Sequence, residues 1–311
     1  MNAIVDQALH HWQLKDATYA LVAVRENTVY RVSCAAGDMA LRLHRQGYRT
    51  DDELRAELEW MAAVARGGIS VPAPVAAPNG AYLARIGEVQ VDVLHWLPGH
   101  MMTDALEDLD PAERERVFFN LGREMAQLHT VSDAWNLPAG FDRVHWNKAG
   151  LLGETPLWGR FWDNPELTAE DRDLFLTFRR AAADKLTALG DTLDYGLIHA
   201  DLVPANVLVD GDHLHLIDFD DGGFGYRLFD LATALLKHAE SEDFPRLQNS
   251  LFEGYGIIRP MDFTNLDLFM ALRAATYVGW NIERLNEDGG ADRNARFITT
   301  ARHYAARIVP G

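Results

Sequence analysis

His199-Ala200-Asp201-Leu202-Val203-Pro204-Ala205-Asn206, followed by Ile217-Asp218-Phe219-Asp220, carries the densest polar information in the chain. Asp201 and Asn206 stand five residues apart, and Asp218 lies twelve further on. Leu197–Ile217 has strand character, and Asp210-Gly211-Asp212 reads as a hairpin turn within it. Such a hairpin returns Asp218 to the neighbourhood of Asn206. Phosphoryl transfer needs this kind of set. One carboxylate orients and deprotonates an attacking hydroxyl, while an amide oxygen and a second carboxylate hold Mg²⁺ against nucleotide phosphates. Any one of these residues alone reads as a turn or cap; their order and spacing together point to chemistry. His199, beside a buried strand end, reads as a structural core histidine.

Working outward, the segment before this motif divides in two. Thr18–Val24, Thr28–Cys34 and Met39–His44 are short β-type runs, separated by Arg25-Glu26-Asn27 and Gly37-Asp38. Thr50-Asp51-Asp52-Glu53 has the form of a capping box, and Leu54, Leu58 and Met61 then recur at helical spacing until Gly67-Gly68. Strands around Ala81–Arg85 and Val89–Trp96 lead to Leu97-Pro98-Gly99, read as a hinge. Beyond it, Asp110-Pro111 starts a helix with Val117, Phe118, Leu121, Met125 and Leu128 as its apolar stripe, and another runs from about Thr168 to Leu189. The remainder is mostly helical. The expected organisation is α+β and bilobal, with a β-rich lobe over 1–98 and a mostly helical lobe over 99–311. Glu57 falls inside the apolar stripe of its helix, whereas Glu59 points away. A carboxylate facing a core is costly unless paired.

Of the 311 residues, 48% are hydrophobic and 24% charged, a balance that supplies a core and excludes a disordered chain. The net charge of −17 repels phosphate backbones and anionic lipid, so nucleic acid and membrane surfaces are not expected partners. A single cysteine, Cys34, allows no intrachain disulfide. No basic-then-apolar leader opens the chain and no apolar run approaches membrane-span length, so a cytoplasmic location is expected.

The His-x-Asp-x-x-x-x-Asn, hairpin, Asp-Phe series resembles the aminoglycoside phosphotransferase and choline kinase branch of the protein-kinase-like fold. Within that branch it is most similar to bacterial homoserine-kinase-like and hydroxylysine-kinase-like small-molecule kinases, and the likeness covers nearly the whole chain. The resemblance implies nucleotide binding by the 1–98 lobe and catalysis with substrate binding by the 99–311 lobe. It implies ATP and Mg²⁺ as cofactors, Asp201 as catalytic base and Asn206 and Asp218 as Mg²⁺ ligands. It also implies that His199 braces the catalytic loop and that Asp230, in Phe229-Asp230-Leu231-Ala232, steadies it. The strand Ala40-Leu41-Arg42-Leu43 would supply the cation that pairs Glu57 at the nucleotide. Arg at position 42 departs from the protein-kinase Lys, but keeps the charge and a bidentate grip. The loop Arg25–Thr28 has no glycine; by resemblance Asn27 and its neighbours donate to phosphate, though a plain hairpin turn gives the same sequence. Leu94-His95-Trp96-Leu97 would present backbone groups to adenine.

The acceptor is a small molecule bearing a hydroxyl, by the same resemblance. On Asn265–Arg284, Leu268, Leu272, Ala275, Gly279 and Ile282 share one face, and Arg273, Tyr277, Trp280 and Arg284 the other. An amphipathic helix with a solvated face fits this pattern equally. As an acceptor wall, those four residues with Asp220 and Asp221 would suit an amino-alcohol or a zwitterionic hydroxy amino acid better than an aminoglycoside. Trp158, Trp162 and Trp280 also read as core or lobe packing rather than pocket walls. Three alternatives use the same motif: an antibiotic kinase, a protein Ser/Thr kinase and a non-catalytic nucleotide-binding regulator. Against the second, Val203 stands where Ser/Thr kinases usually carry Lys, and eleven residues between Asp218 and Asp230 are too few for a long activation loop. Against the third, Asp201, Asn206 and Asp218 are all present. Nothing in the sequence fixes the oligomeric state.

Overall fold

The computed structural model describes residues 2–24 and 27–309; Arg25 and Glu26, part of the loop expected over nucleotide phosphates, lie outside the described residues. The chain runs α1 (Asn2–His11), β1 (Thr18–Val24), β2 (Asn27–Cys34), β3 (Gly37–His44), α2 (Asp51–Arg66), β4 (Leu83–Ile86), β5 (Val89–His95), β6 (His100–Met101) and α3 (Met102–Asp108). It continues through α4 (Pro111–Ala134), β7 (His145–Trp146), α5 (Lys148–Leu152), α6 (Ala169–Leu189), β8 (Tyr195–Ile198), β9 (Val207–Asp210), β10 (His213–Leu216) and β11 (Gly223–Tyr226). Four helices follow, α7 (Arg227–Leu236), α8 (Phe244–Ile258), α9 (Leu266–Trp280) and α10 (Gly290–Ile308). None of the helices among the described residues is long and apolar enough to cross a membrane.

These elements form two compact units. The first comprises residues 1–107, 134–143 and 205–220, and the second residues 108–133, 144–204 and 221–311. In the first, five antiparallel strands are ordered β1-β2-β3-β5-β4. Val5, Ala8, Leu9 and Trp12, from α1 and the turn after it, pack on Tyr30, Val32, Leu41 and Val93 of that sheet. This helix is not among the sequence-based expectations, although Val5, Ala8, Leu9 and Trp12 recur at helical spacing. The start of α2 follows its sequence. Thr50 Oγ1 accepts from the Glu53 amide at 3.2 Å, while Glu53 Oε2 accepts from the Thr50 amide at 2.8 Å. A cap of this kind stabilises a helix by about 1 kcal/mol.

The same unit holds a small sheet ordered β10-β9-β6. The β9–β10 hairpin closes with Asp210 opposite His213, so Gly211-Asp212 is the two-residue turn the sequence indicates. Leu97-Pro98-Gly99 lies inside the first unit and leads into β6, which pairs with β9. Gly99 sits at φ +104°, and a Cβ there would lie 2.7 Å from the Val209 carbonyl oxygen, so glycine is required.

The second unit is helical around a three-stranded sheet, β7-β11-β8, in which β11 runs parallel to β7 and antiparallel to β8. Its central helix is α9, packed on α7 and α10. Every residue from Leu266 to Gly279 except Asp267 is buried. That corrects the expectation of one buried face: α9 is covered on all sides, with Arg273 inside.

Candidate active site

In the second unit, β8 delivers the chain to His199-Ala200-Asp201. Ala200 adopts φ +65°, a left-handed conformation that costs about 1–3 kcal/mol outside glycine and must be held by its surroundings. Asp230, wholly buried on α7, holds it. Its Oδ2 accepts from the His199 amide at 2.9 Å and its Oδ1 from the Ala200 amide at 2.6 Å. The His129 ring on α4 lies behind, with Nε2 2.9 Å from Asp230 Oδ2 and Nδ1 2.9 Å from the Tyr255 hydroxyl. An ionised carboxylate only accepts, so Nε2 carries the proton and Tyr255 donates to Nδ1. Burial, then the Arg227 charge, hold His129 down at about 4, against the pull of Asp230. Burial alone would raise the Asp230 carboxyl, but the His129 hydrogen bond and the loop amides bring it below the usual carboxylate range.

This network carries a pH dependence with a definite sign. His129 takes a proton near 6.5 when unfolded and near 4 when folded, so the unfolded state binds more protons between those values. Stability is therefore lost as pH falls through that window. From pH 7.5 to 5 the His129 share is about 2 kcal/mol. His129→Gln is expected to unfold more readily at pH 7.5 and to show a flatter midpoint-against-pH curve in urea. Parallel curves for the two proteins would remove His129 as the source.

Asp201 is 22% exposed. Its backbone amide faces His199 Nδ1 at 3.4 Å, and its carbonyl accepts from the Val203 amide at 2.8 Å. Its side chain accepts from Nη2 of Arg273, which also donates to the Tyr277 hydroxyl at 3.0 Å, while Nη1 donates to the Ala200 carbonyl at 3.1 Å. The indole of Trp158 donates to Asp221 Oδ1 at 3.4 Å, and that of Trp146 to the Asp221 carbonyl at 2.8 Å. Arg284 folds back on its own helix end, 4.1 Å from the Trp280 ring, and donates to the Trp280 carbonyl. Of the four residues read on one face of residues 265–284, Arg273 reaches Asp201 directly, and Tyr277 reaches it only through Arg273. Arg284 caps Trp280 instead.

In the first unit, the β9–β10 hairpin ends with the Ile217 amide donating to the Asn206 carbonyl at 3.0 Å, which brings Asn206 and Asp218 to one end of the ribbon. Asp218 sits at φ +67°. Phe219 anchors the turn that follows, edge-on to Trp60 of α2 at 5.1 Å. Arg143 ties its backbone, donating to the carbonyls of Phe219 at 3.0 Å, Asp220 at 2.7 Å and Glu53 at 3.1 Å. The Asp220 carboxylate is gripped by Arg49 at 3.1 and 3.0 Å, so its charge is neutralised locally. Neither Arg49 nor Arg143 was singled out by the sequence; both act across long separations that leave no local pattern.

Arg42 donates from Nη1 to Glu57 Oε1 at 2.9 Å, in a pair the helical stripe anticipates. It also donates from Nε and Nη2 to the two oxygens of Asp92, both at 2.8 Å. Asp92 stands directly opposite Arg42 in the β3–β5 ladder, and His44 Nε2 lies 2.6 Å from its Oδ2. Burial would push the Asp92 carboxyl up, but the Arg42 and His44 charges hold it down at about 2. The same carboxylates hold Arg42 well above its ordinary value despite burial. Asn27 opens β2 opposite His44 and is half-buried. The amides of His95 and Trp96 are already donated, to the Ala73 and Asp38 carbonyls, and so are not open to an adenine ring. The Trp96 ring carries the Arg31 guanidinium at 5.0 Å.

Comparison with known proteins follows the same lines. Residues 20–268 match the family model described as APH, phosphotransferase enzyme family. A homoserine kinase of Parvibaculum lavamentivorans is 27% identical over 270 residues, 84% of this chain and 77% of its own length. The solved structure of a microcompartment-associated aminopropanol kinase superposes with a TM-score of 0.84 at 30% identity, over 99% of this chain and 97% of that one. An amicoumacin kinase solved with AMP-PNP, Ca²⁺ and Ami superposes at 0.77 with 19% identity, over 99% and 95%, a likeness of fold alone. The fold shared with these kinases is the protein-kinase-like one.

Proposed function

Because the chain belongs to the phosphotransferase enzyme family of small-molecule kinases, we propose that it moves the γ-phosphoryl group of ATP to the hydroxyl of a small amino-alcohol or amino-acid-like metabolite. The observation that carries this reading is the 199–201 loop, a part-exposed carboxylate on a left-handed backbone anchored by a buried Asp230. Asp201 orients the acceptor hydroxyl and takes its proton. Asn206 and Asp218 hold Mg²⁺. Their donor set fits that ion: both supply oxygen, one of them charged. Among the described residues no cluster of three or more His, Cys, Asp or Glu forms a closed metal cage. Magnesium is characteristically held by one or two carboxylates together with substrate phosphates. When bound, it neutralises charge on the β- and γ-phosphates. Arg42 and Glu57 with Asn27 and the Trp96 segment serve the nucleotide.

For the acceptor, the similar proteins are named for aminopropanol and homoserine, which both carry an amine and a hydroxyl. Asp221 beside the half-buried Trp158, with Trp280 nearby, suits an ammonium group. Arg273 and Arg284, which a carboxylate-bearing acceptor would need, are already engaged. Amino-alcohols therefore rank ahead of hydroxy amino acids. The test is a panel of amino-alcohols, hydroxy amino acids and aminoglycosides, read as acceptor-dependent ADP release. The highest kcat/KM is expected for an amino-alcohol, with the rate abolished by EDTA and restored by Mg²⁺. A best acceptor lacking an amine, or ADP release indifferent to every acceptor, overturns the reading.

A further inference from the structure

The geometry points to Arg273 of α9 as the positioning residue of Asp201: a buried guanidinium that fixes one carboxylate oxygen and the backbone before it. This rests on Asp201 being the base. Arg273 is 0% exposed. Its guanidinium lies 4.4 Å from the Tyr277 ring centroid and 4.5 Å from that of Trp158, so it is held by two π-faces as well as by hydrogen bonds. One group engages Asp201, the Tyr277 hydroxyl and the carbonyl of Ala200, the residue in the left-handed conformation. Side chain and backbone of the loop are thereby fixed from a helix 72 residues away in sequence.

Stability alone does not account for this arrangement. Taking a guanidinium out of water is costly, and a buried ion pair often contributes no more stability than a well-packed apolar pair would in its place. The Nε of Arg273 has no hydrogen-bond partner among the described residues, so the burial is incompletely compensated. What the arrangement does provide is orientation. A loop carboxylate open to solvent samples several rotamers, and displacement of a catalytic group by about 1 Å can cost 10²-fold in rate. In a loose phosphoryl-transfer transition state the base acts chiefly by holding the nucleophile in line. The catalytic loop carries Val203 and no cation of its own; α9 supplies one instead.

Arg273→Met and Arg273→Lys test this in the full-length enzyme with ATP and the best acceptor from the panel. Arg273→Met is expected to lower kcat about 10²-fold with KM for ATP unchanged, alongside a lower melting temperature from the groups left without their donor. In the Asp201→Asn background it should change kcat less than twofold, as expected of a residue that acts through Asp201. Arg273→Lys, which cannot reach all three acceptors at once, should lose about tenfold. Parental kcat in either variant, when folded, overturns the assignment, and Arg273→Lys decides if Arg273→Met fails to fold. If Asp201→Asn itself keeps parental kcat, the underlying reading of Asp201 fails instead.

Discussion

Asp201→Asn is expected to retain nucleotide affinity while its phosphoryl-transfer turnover falls by about 10²–10⁴, the range for loss of a general acid–base. The two side chains are nearly isosteric, and the loop is held by groups the substitution leaves alone. Asp230 still accepts from the amides of His199 and Ala200, and the Asp201 carbonyl still accepts from Val203. Arg273 keeps an oxygen to bond but loses its counter-charge, so a modest drop in melting temperature accompanies the kinetic effect. Single-turnover rates separate chemistry from product release, and titration of the variant with AMP-PNP and Mg²⁺ checks binding. Unchanged turnover would remove Asp201 from the mechanism. A loss confined to KM for ATP would place it at the nucleotide instead.

The parts of this site that were legible in the sequence are those encoded locally. The capping box at Thr50, the inward phase of Glu57 and the hairpin between Asn206 and Asp218 each depend on residues within one element or one turn. The unread parts depend on register or on packing between distant segments. Asp92 is an ordinary strand acid until β3 and β5 pair with Arg42 opposite it, and no spacing rule links residues 50 apart. The left-handed conformations of Ala200 and Asp218 are imposed by Asp230 and the surrounding fold on residues that do not favour them. Arg273 misled in the opposite direction. A charged residue on a helix is normally read as solvent-facing, and only an internal partner, here Asp201 with two aromatic faces, makes its burial tolerable. Asp220 likewise looked free for a ligand because Arg49, 171 residues earlier, leaves no trace beside it.

The second large effect is on stability, at Arg42. The helical phase of Glu57 pairs it with one carboxylate; the structure gives it two, Glu57 at 1% and Asp92 at 0% exposure. Removing one partner of a buried ion pair costs about 3–5 kcal/mol, and here a single truncation takes the guanidinium from two buried acids at once, leaving Asp92 with His44 alone. Arg42→Met is therefore expected at or above the top of that range, enough to consume much of the stability of an ordinary domain. Arg42→Lys should fall between, since an ammonium cannot bridge both oxygens of Asp92 while reaching Glu57. The pH dependence identifies the cause. In the parent, Asp92 is held at about 2, so its contribution is fully present above the unfolded value of 3.8 and is lost only as pH falls toward 2. Without Arg42, His44 alone opposes burial at Asp92, so its carboxyl rises from the parental value and the folded state holds its proton to higher pH. The stability deficit of Arg42→Met relative to the parent should accordingly widen as pH rises from 5.5 to 8, measured as urea midpoints. A deficit of constant size across that range would mean that lost packing, rather than two acids deprived of the guanidinium, accounts for the damage.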